Sequence, residues 1–284
     1  MPVRATVICE NSVHGNLGAL AEHGWAVWLE TGSGSYLFDT GQGYTLLGNA
    51  AHLRIPLGDA QAILLSHHHI DHTGGLLDAV RAVRRASGRA GVPVYAHPDL
   101  FKDSFAERDG TLTFIGVPHT RAALETAGAE FSLSSEWREI APGLALVGEV
   151  PRRTTYETGD PAMKHYDATG RIVTDPVRDD QTVVIDTPEG LFVVLGCSHA
   201  GIINILTYIR ERTGTERFHT VMGGAHLGPA PEEQVAATLE ALHTFDIGRI
   251  GVSHCTGPNV AARMAHAFGE RFFFCNVGTV ATSD

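Results

Sequence analysis

The sequence predicts an α/β fold, with mixed β-sheets covered by helices. Two observations carry that expectation. Short apolar runs rich in Val, Ile, Leu and Phe recur along the chain, bounded by Gly, Pro and Asp, and their length and β-branched content favour strands, several buried on both faces. Between them lie amphipathic stretches with one apolar face each, which must be packed against a sheet.

In chain order the strand candidates are "ATVIC", "WAVWLE", "SYLFDTG", "AILLSH", "PVYAH" and "LALVGEV", then "TVVIDT", "LFVVLGCSH", "TVMGGAH", "RIGVSH" and "RFFFCNVGTV". "TVVIDTPEGLFVVLG" reads as a hairpin turning at Pro188-Glu189-Gly190. Three helices stand out. "GGLLDAVRAVRRASG" aligns Leu76, Leu77, Val80 and Val83 and stops at Gly88. "GIINILTYIRERTG" aligns Ile202, Leu206 and Ile209 and ends at Gly214. "PEEQVAATLEALHTF" places Pro231 at the first helical position, puts Glu232 and Glu233 at the positive helix end, and aligns Val235, Leu239 and Leu242.

Two segments depart from this pattern. Residues 98–140 read as an inserted segment with one helix, "HTRAALETAG". Residues 151–182 are polar, rich in Gly, Pro and charge, and too long for an ordinary connection. No linker forces a division, so the expectation is one domain over residues 1–284 carrying these two inserted or lid-like segments.

Composition excludes several classes. The 284 residues are 43% hydrophobic and 19% charged, the balance of a soluble globular protein. A formal net charge of −11 argues against a nucleic-acid surface. No run approaches the ~20 apolar residues of a membrane span, and the N-terminal stretch, interrupted by Glu10, lacks a signal-peptide core. Cys9, Cys197, Cys255 and Cys275 form no C-x-x-C pair and read as reduced thiols of a cytoplasmic protein. Oligomeric state is not legible.

The chemistry lies where strands end. "LSHHHIDHTGG", residues 65–75, gathers His67, His68, His69, Asp71 and His72 directly after an apolar run. Asp39 follows "YLF", His199 follows "FVVLGCS", His226 follows "TVMGGA" and His254 follows "RIGVS". Strand C-termini in helix-covered sheets share an edge, where sites are assembled from separate loops. His67 and His69, two apart in extended backbone, point to one side and can grip one cation; Asp71 and His72 begin a helical turn and suit a second. Such sets take zinc, and also iron, manganese or nickel. Gly74 and Gly75, lacking Cβ atoms, let the helix start lie close under the metals.

"SHHHIDHTGG", with "FDTG" upstream and the later histidines in order, resembles the H-x-H-x-D-H signature of the metallo-β-lactamase superfamily over essentially the whole chain. The resemblance implies a four-layer αβ/βα sandwich, two mixed sheets back to back with helices outside. It implies that His67, His69 and His199 bind a first metal, that Asp71, His72 and His254 bind a second, and that Asp39 supports them by hydrogen bonding. "EHGWAVWLET", "LFDTGQG", "GCSHAGIINI", "GGAHL", "APEEQ" and "SHCTG" more narrowly resemble the branch of dihydropterin-6-methyl-ribofuranosylaminobenzene-phosphate synthase-like proteins. That branch reads S-H-G-H where this chain has His68. A side chain between two ligands points away from them, so His68 is expected behind the ligands or in solvent.

One departure from the superfamily matters physically. Many members place a metal-bridging aspartate after the strand that follows the His199 equivalent; here that stretch is "VMGGAHL", with no acid. A neutral His226 has one free lone pair and cannot bridge two cations. A hydroxide bridge, a weakly held second metal and a single metal all stay open, with two sites of unequal affinity expected. His226 is then a ligand to one metal or the proton donor to a leaving group.

A metal pair lowers the pKa of bound water and polarises the atom attacked, so no Ser or Cys nucleophile is needed. Asp71 is expected to orient that water. Cys197 and Cys255 read as packing beside the site, their side chains turned away if the strands keep alternating. Arg152 and Arg153, cations in a long loop of an acidic protein, are candidates for holding a phosphate or carboxylate. The expected function is hydrolysis of a small anionic, phosphorylated pterin- or ribosyl-like substrate at a site of one or two Zn²⁺ ions. The alternatives are a condensing enzyme of the synthase-like branch and a non-catalytic metal-binding or regulatory protein. Open coordination positions argue against the last. A flavodiiron-type redox protein is disfavoured by the all-imidazole first set, and a nuclease by charge.

Overall fold

The strand runs sort into two seven-stranded sheets in a computed structural model describing residues 1–284. From edge to edge, the first contains Val280–Ser283, Val3–Cys9, Ala26–Thr31, Gly34–Phe38, Ala60–Leu64, Val92–Ala96 and Ala129–Leu133. The second contains Phe272–Phe274, Asp246–Ser253, Arg217–Gly224, Gly190–Val194, Val183–Thr187, Leu144–Leu146 and Arg138–Ala141. Both are mixed, as predicted.

Burial on both strand faces explains the continuous apolar runs. Val27 and Leu29 face the second sheet and pack with Phe38 and Leu64 against Ile185, Phe192, Val194 and Met222. Trp28, between them, faces the other way, against Leu46, Val80 and Val83 of the outer helices Leu46–His52 and Leu76–Ser87. On the far side Phe218, Val221 and Ile250 meet Leu206, Val235 and Met264 from Ile202–Thr213, Glu232–Leu242 and Pro258–Phe268. Each such side chain, fully buried, contributes about 1.5–3 kcal/mol before entropy is subtracted. The result is the expected four-layer sandwich.

Local signals are followed closely. Gly88 and Gly214 end their helices in left-handed conformation. Helix Glu232–Leu242 starts one residue later than expected, so Pro231 is its capping residue and not its first turn. Thr187 pairs with Gly190, which makes Pro188-Glu189 the hairpin tip and Gly190 already strand.

Residues 98–140 and 151–182 meet each other. Ser104–Arg108 and Thr111–Phe114 form a hairpin, and Met163–Tyr166 pairs with its first strand, giving a separate four-stranded sheet completed by Ile172–Thr174. The remainder of 98–140 supplies helix Arg121–Ala127 and the two edge strands Ala129–Leu133 and Arg138–Ala141. No helix is long and apolar enough to cross a membrane.

Candidate metal centre

Parallel neighbours within each sheet bring their C-terminal ends to one edge. Gly34–Phe38 delivers Asp39 beside the loop after Ala60–Leu64. Gly190–Val194, Arg217–Gly224 and Asp246–Ser253 deliver His199, His226 and His254. Asp39, Ser198, His226 and His254 are all left-handed, with φ of 58°, 62°, 47° and 52°. Each such residue costs about 1–3 kcal/mol, a strain that clusters at functional sites.

His67, His69 and His199 converge, one ring nitrogen of each lying within 4.8 Å of the others. Hydrogen bonds behind them fix the rings. The Ser66 N–H donates to Asp39 Oδ1 at 2.7 Å and the Ser66 hydroxyl to Asp39 Oδ2 at 2.7 Å. Ser66 Oγ is then free to accept the His67 Nδ1–H at 2.8 Å, turning the His67 Nε2 lone pair into the cluster. Burial, reinforced by the neighbouring imidazoles, holds all three histidines well below the usual pKa, so they are neutral donors. His69 Nε2 and His199 Nε2 are buried without any hydrogen-bond partner. Three neutral imidazoles, two of them with buried nitrogens that lack any partner, fit a transition-metal cation such as zinc.

A second set adjoins the first. Asp71 Oδ2 lies 3.1 Å from His254 Nε2 and 3.2 Å from His23 Nε2. Burial opposes ionisation of Asp71, but His23 and His254 outweigh it and hold its pKa well below normal. His254 Nδ1–H donates to Asn11 Oδ1 at 2.9 Å, and the His254 N–H to buried Glu10 at 2.7 Å. His72 stands between the sets, its ring 4.1 Å from that of His67 and 5.2 Å from that of His254. Its Nδ1–H donates to Asp39 at 2.7 Å. Burial disfavours the imidazolium, yet Asp39 prevails and pushes the His72 pKa up to about 9.

One reading of the cluster is narrowed and two are corrected. His68 is fully buried and not in solvent: its Nδ1–H and backbone N–H both donate to Asp179 Oδ2, at 2.6 and 2.8 Å. Gly74 and Gly75 do permit a close approach, but to the 40–43 loop; a Cβ on either would lie 2.3 Å from the carbonyl of Gln42 or Thr40. Cys197 does not turn away: its Sγ is 3.1 Å from His72 Nε2. Alternation fails there because the strand ends at Val194 and Ser198 is left-handed.

Beside the histidines opens a cavity of about 490 Å³, bordered by His69, Asp71, His199 and His254 on one side and by Ala106, Arg108 and Met163 of the small sheet on another. His226 also borders it, its ring 4.1 Å from that of His199 and its Nε2 3.3 Å from Asp160 Oδ2. Burial lowers the His226 pKa, but Asp160 and, after it, Cys255 override this and raise it to about 10. Arg152 and Arg153 do not border this cavity. Arg153 pairs with Glu211, and Arg152 donates to the Pro176 carbonyl and borders a separate pocket with Arg178. The cation that does face the histidines is Arg108.

Sequence reasoning missed Arg108, Asp160, His23, Asp179 and Asp180. Four of them come from the segments 98–140 and 151–182 and stand beside no motif, while His23 lies inside "EHGWAVWLET" with no chemical role attached to it. His23, six residues before the "LET" of the second strand, has no partner nearby in sequence. Asp180, pushed up to about 7 by burial, accepts the His199 N–H at 2.6 Å.

An α/β sandwich with imidazoles and carboxylates at the shared edge of two sheets defines a metal-dependent enzyme class, and this chain belongs to the metallo-beta-lactamase superfamily, whose family model matches residues 20–254. Within it the chain is similar to 7,8-dihydropterin-6-methyl-4-(beta-D-ribofuranosyl)-aminobenzene-5'-phosphate synthase of Methanocaldococcus jannaschii. The two are 30% identical over 268 residues, 92% of this chain and 90% of the relative. A crystal structure of a metal-dependent hydrolase of the beta-lactamase superfamily is 26% identical, covers 98% of both chains and has a TM-score of 0.81. The metallo-beta-lactamase fold protein YhfI of Bacillus subtilis, 12% identical over 100% of both chains with a TM-score of 0.59, shares the fold.

Proposed function

We propose that this chain is a metal-dependent synthase acting on a phosphorylated aminobenzene riboside and a dihydropterin. The reaction would join the pterin's 6-methylene carbon to the aromatic amine, breaking that carbon's bond to the oxygen of an activating ester group, which leaves with the bonding electrons while the amine gives up a proton. The observation that carries this reading is the likeness to the synthase across 92% of the chain.

The geometry suits the chemistry. His67, His69 and His199 would hold one cation; Asp71 and His254, which meet, would hold a second with His72, whose ring is 5.2 Å from that of His254, zinc being the metal the donor set favours. Bound there, the cations would polarise the substrate and stabilise the negative charge that a departing group develops. The residues do the rest. Arg108 on the cavity wall binds the 5'-phosphate. His226, its pKa raised by Asp160, carries its proton at neutral pH and gives it to the leaving group as the carbon–nitrogen bond forms. Asp71 stays ionised beside His254 and is the nearest acceptor for the amine's proton. The small sheet walls the cavity and limits water entry.

Hydrolysis of a small phosphorylated substrate is the second reading, favoured by the 26% identity to the metal-dependent hydrolase over 98% of both chains. Zinc-loaded enzyme incubated with a dihydropterin activated at the 6-methyl position and the ribosylated aminobenzene phosphate separates the two. The joined product, seen by mass spectrometry, supports the synthase; turnover of phosphoesters or lactones without it supports the hydrolase.

A further inference from the structure

The missing bridging carboxylate leaves a physical problem: two ligand sets side by side need an anionic group between them. We propose that the Cys197 thiolate is that group, a ligand shared by the two metal positions. This rests on the reading of the cluster as a metal centre.

Four observations carry it. First, Cys197 Sγ is within 4.8 Å of ligand atoms in three separate groups: with His67 and His72, with His199 and His226, and with His254 and Cys255. His67 also neighbours His72, but Cys197 alone shares such groups with both His199 and His254. Second, its nearest polar neighbour is the His72 Nε2, at 3.1 Å, on the side of that ring not held by Asp39. Third, the cysteines that merely pack look different: Cys9 and Cys275 sit inside the apolar clusters, whereas Cys197 belongs to none. Fourth, His69 Nε2 and His199 Nε2 are buried and unpartnered, so the set that Cys197 adjoins through His67 and His199 has lone pairs free for a cation.

Cys255 is the weaker candidate. Its sulfur belongs to only one of these groups and already contacts the His226 N–H at 3.3 Å and the Cys197 carbonyl at 3.5 Å. Sulfur is large and polarisable and thiolate binds softer cations, so Cys197 selects zinc, iron(II) or cobalt(II) over magnesium or calcium. Its proton is released when metal binds.

X-ray absorption at the zinc edge of the zinc-loaded protein tests this directly, because zinc–sulfur and zinc–nitrogen distances differ, about 2.3 Å against 2.0–2.1 Å. The expected result is a sulfur shell in the wild type, kept in Cys255→Ser and lost in Cys197→Ser, with the weaker zinc equivalent bound tenfold or more less tightly in Cys197→Ser. Nitrogen and oxygen shells alone in the wild type, or a sulfur shell that disappears in Cys255→Ser, overturn the assignment while leaving the metal centre in place. Failure of the wild type to retain zinc removes the centre itself.

Discussion

Asp179 and Asp180 are neighbours in the chain and hold opposite sides of the cluster. Asp179 takes the N–H and ring of His68 on the 67–72 loop; Asp180 takes the His199 N–H on the facing loop. The pair ties together ligand loops from two different sheets. Replacing Asp180 with Asn keeps one acceptor but turns an amide donor towards the loop. Metal affinity should then fall about 10–100-fold, as for other groups that orient ligands, with the circular dichroism unchanged. Competition with a chelator measures this; equal affinity shows that the loop holds itself.

Behind Asp179 lies a buried charge network. Lys102 Nζ is 2.9 Å from Asp175 and 3.4 Å from Asp179, both carboxylates fully buried. Lys102→Met strands them and should cost about 3 kcal/mol, read by urea unfolding. The sign with pH is definite. Burial opposes the lysine's charge, but Asp179 and Asp175 outweigh it and raise its pKa above 10.5. Its stabilisation is therefore complete below 10.5 and is lost as pH climbs through the raised value. The variant should lack that alkaline loss.

His226 and Asp160 form a pair whose charge state should shape activity. With its pKa near 10, His226 remains an acid across neutral pH. Asp160→Asn removes the largest raising cause and leaves Cys255, so the alkaline limb of kcat/KM should move down from about 10. An unmoved limb assigns the proton to another group. In stability the pair contributes fully between about 3.8 and 6.5, less as pH falls through the lowered Asp160 value and less as pH rises through 10.

Arg108, and not the loop arginines, should recognise phosphate. Arg108→Ala removes a charge-assisted contact, about 1.5–3 kcal/mol, so KM for a phosphorylated substrate should rise about tenfold or more. Arg153→Ala breaks only a surface pair with Glu211, exposed by about half on each side, and should leave KM unchanged. Steady-state kinetics of both variants, with a dephosphorylated substrate as control, check this.

Local pattern carried the sandwich and the clustered histidines. Strand runs, glycine stops and the residues at strand ends are short-range signals, and His67, His69, His199 and the Asp71–His254 pair do meet. Helix Pro258–Phe268, as long as Glu232–Leu242, carries the same kind of apolar stripe in Val260, Met264 and Phe268 and was legible on the same grounds. What stayed hidden depends on pairing across distance. Nothing near "SFAER" announces that it will pair with "MKHY" and put Arg108 on the wall of the cavity that the histidines border. Cys197 was misjudged because alternation was extended past Val194, where the strand stops.

The central claim is that loops from two sheets jointly hold metal. Equilibrium dialysis against zinc, followed by elemental analysis, tests it on wild type, His67→Ala and His199→Ala. The account predicts tight zinc in the wild type and loss of at least one equivalent in each variant, though the two histidines belong to different sheets. Wild type that retains no transition metal, or variants that retain all of it, would contradict the account.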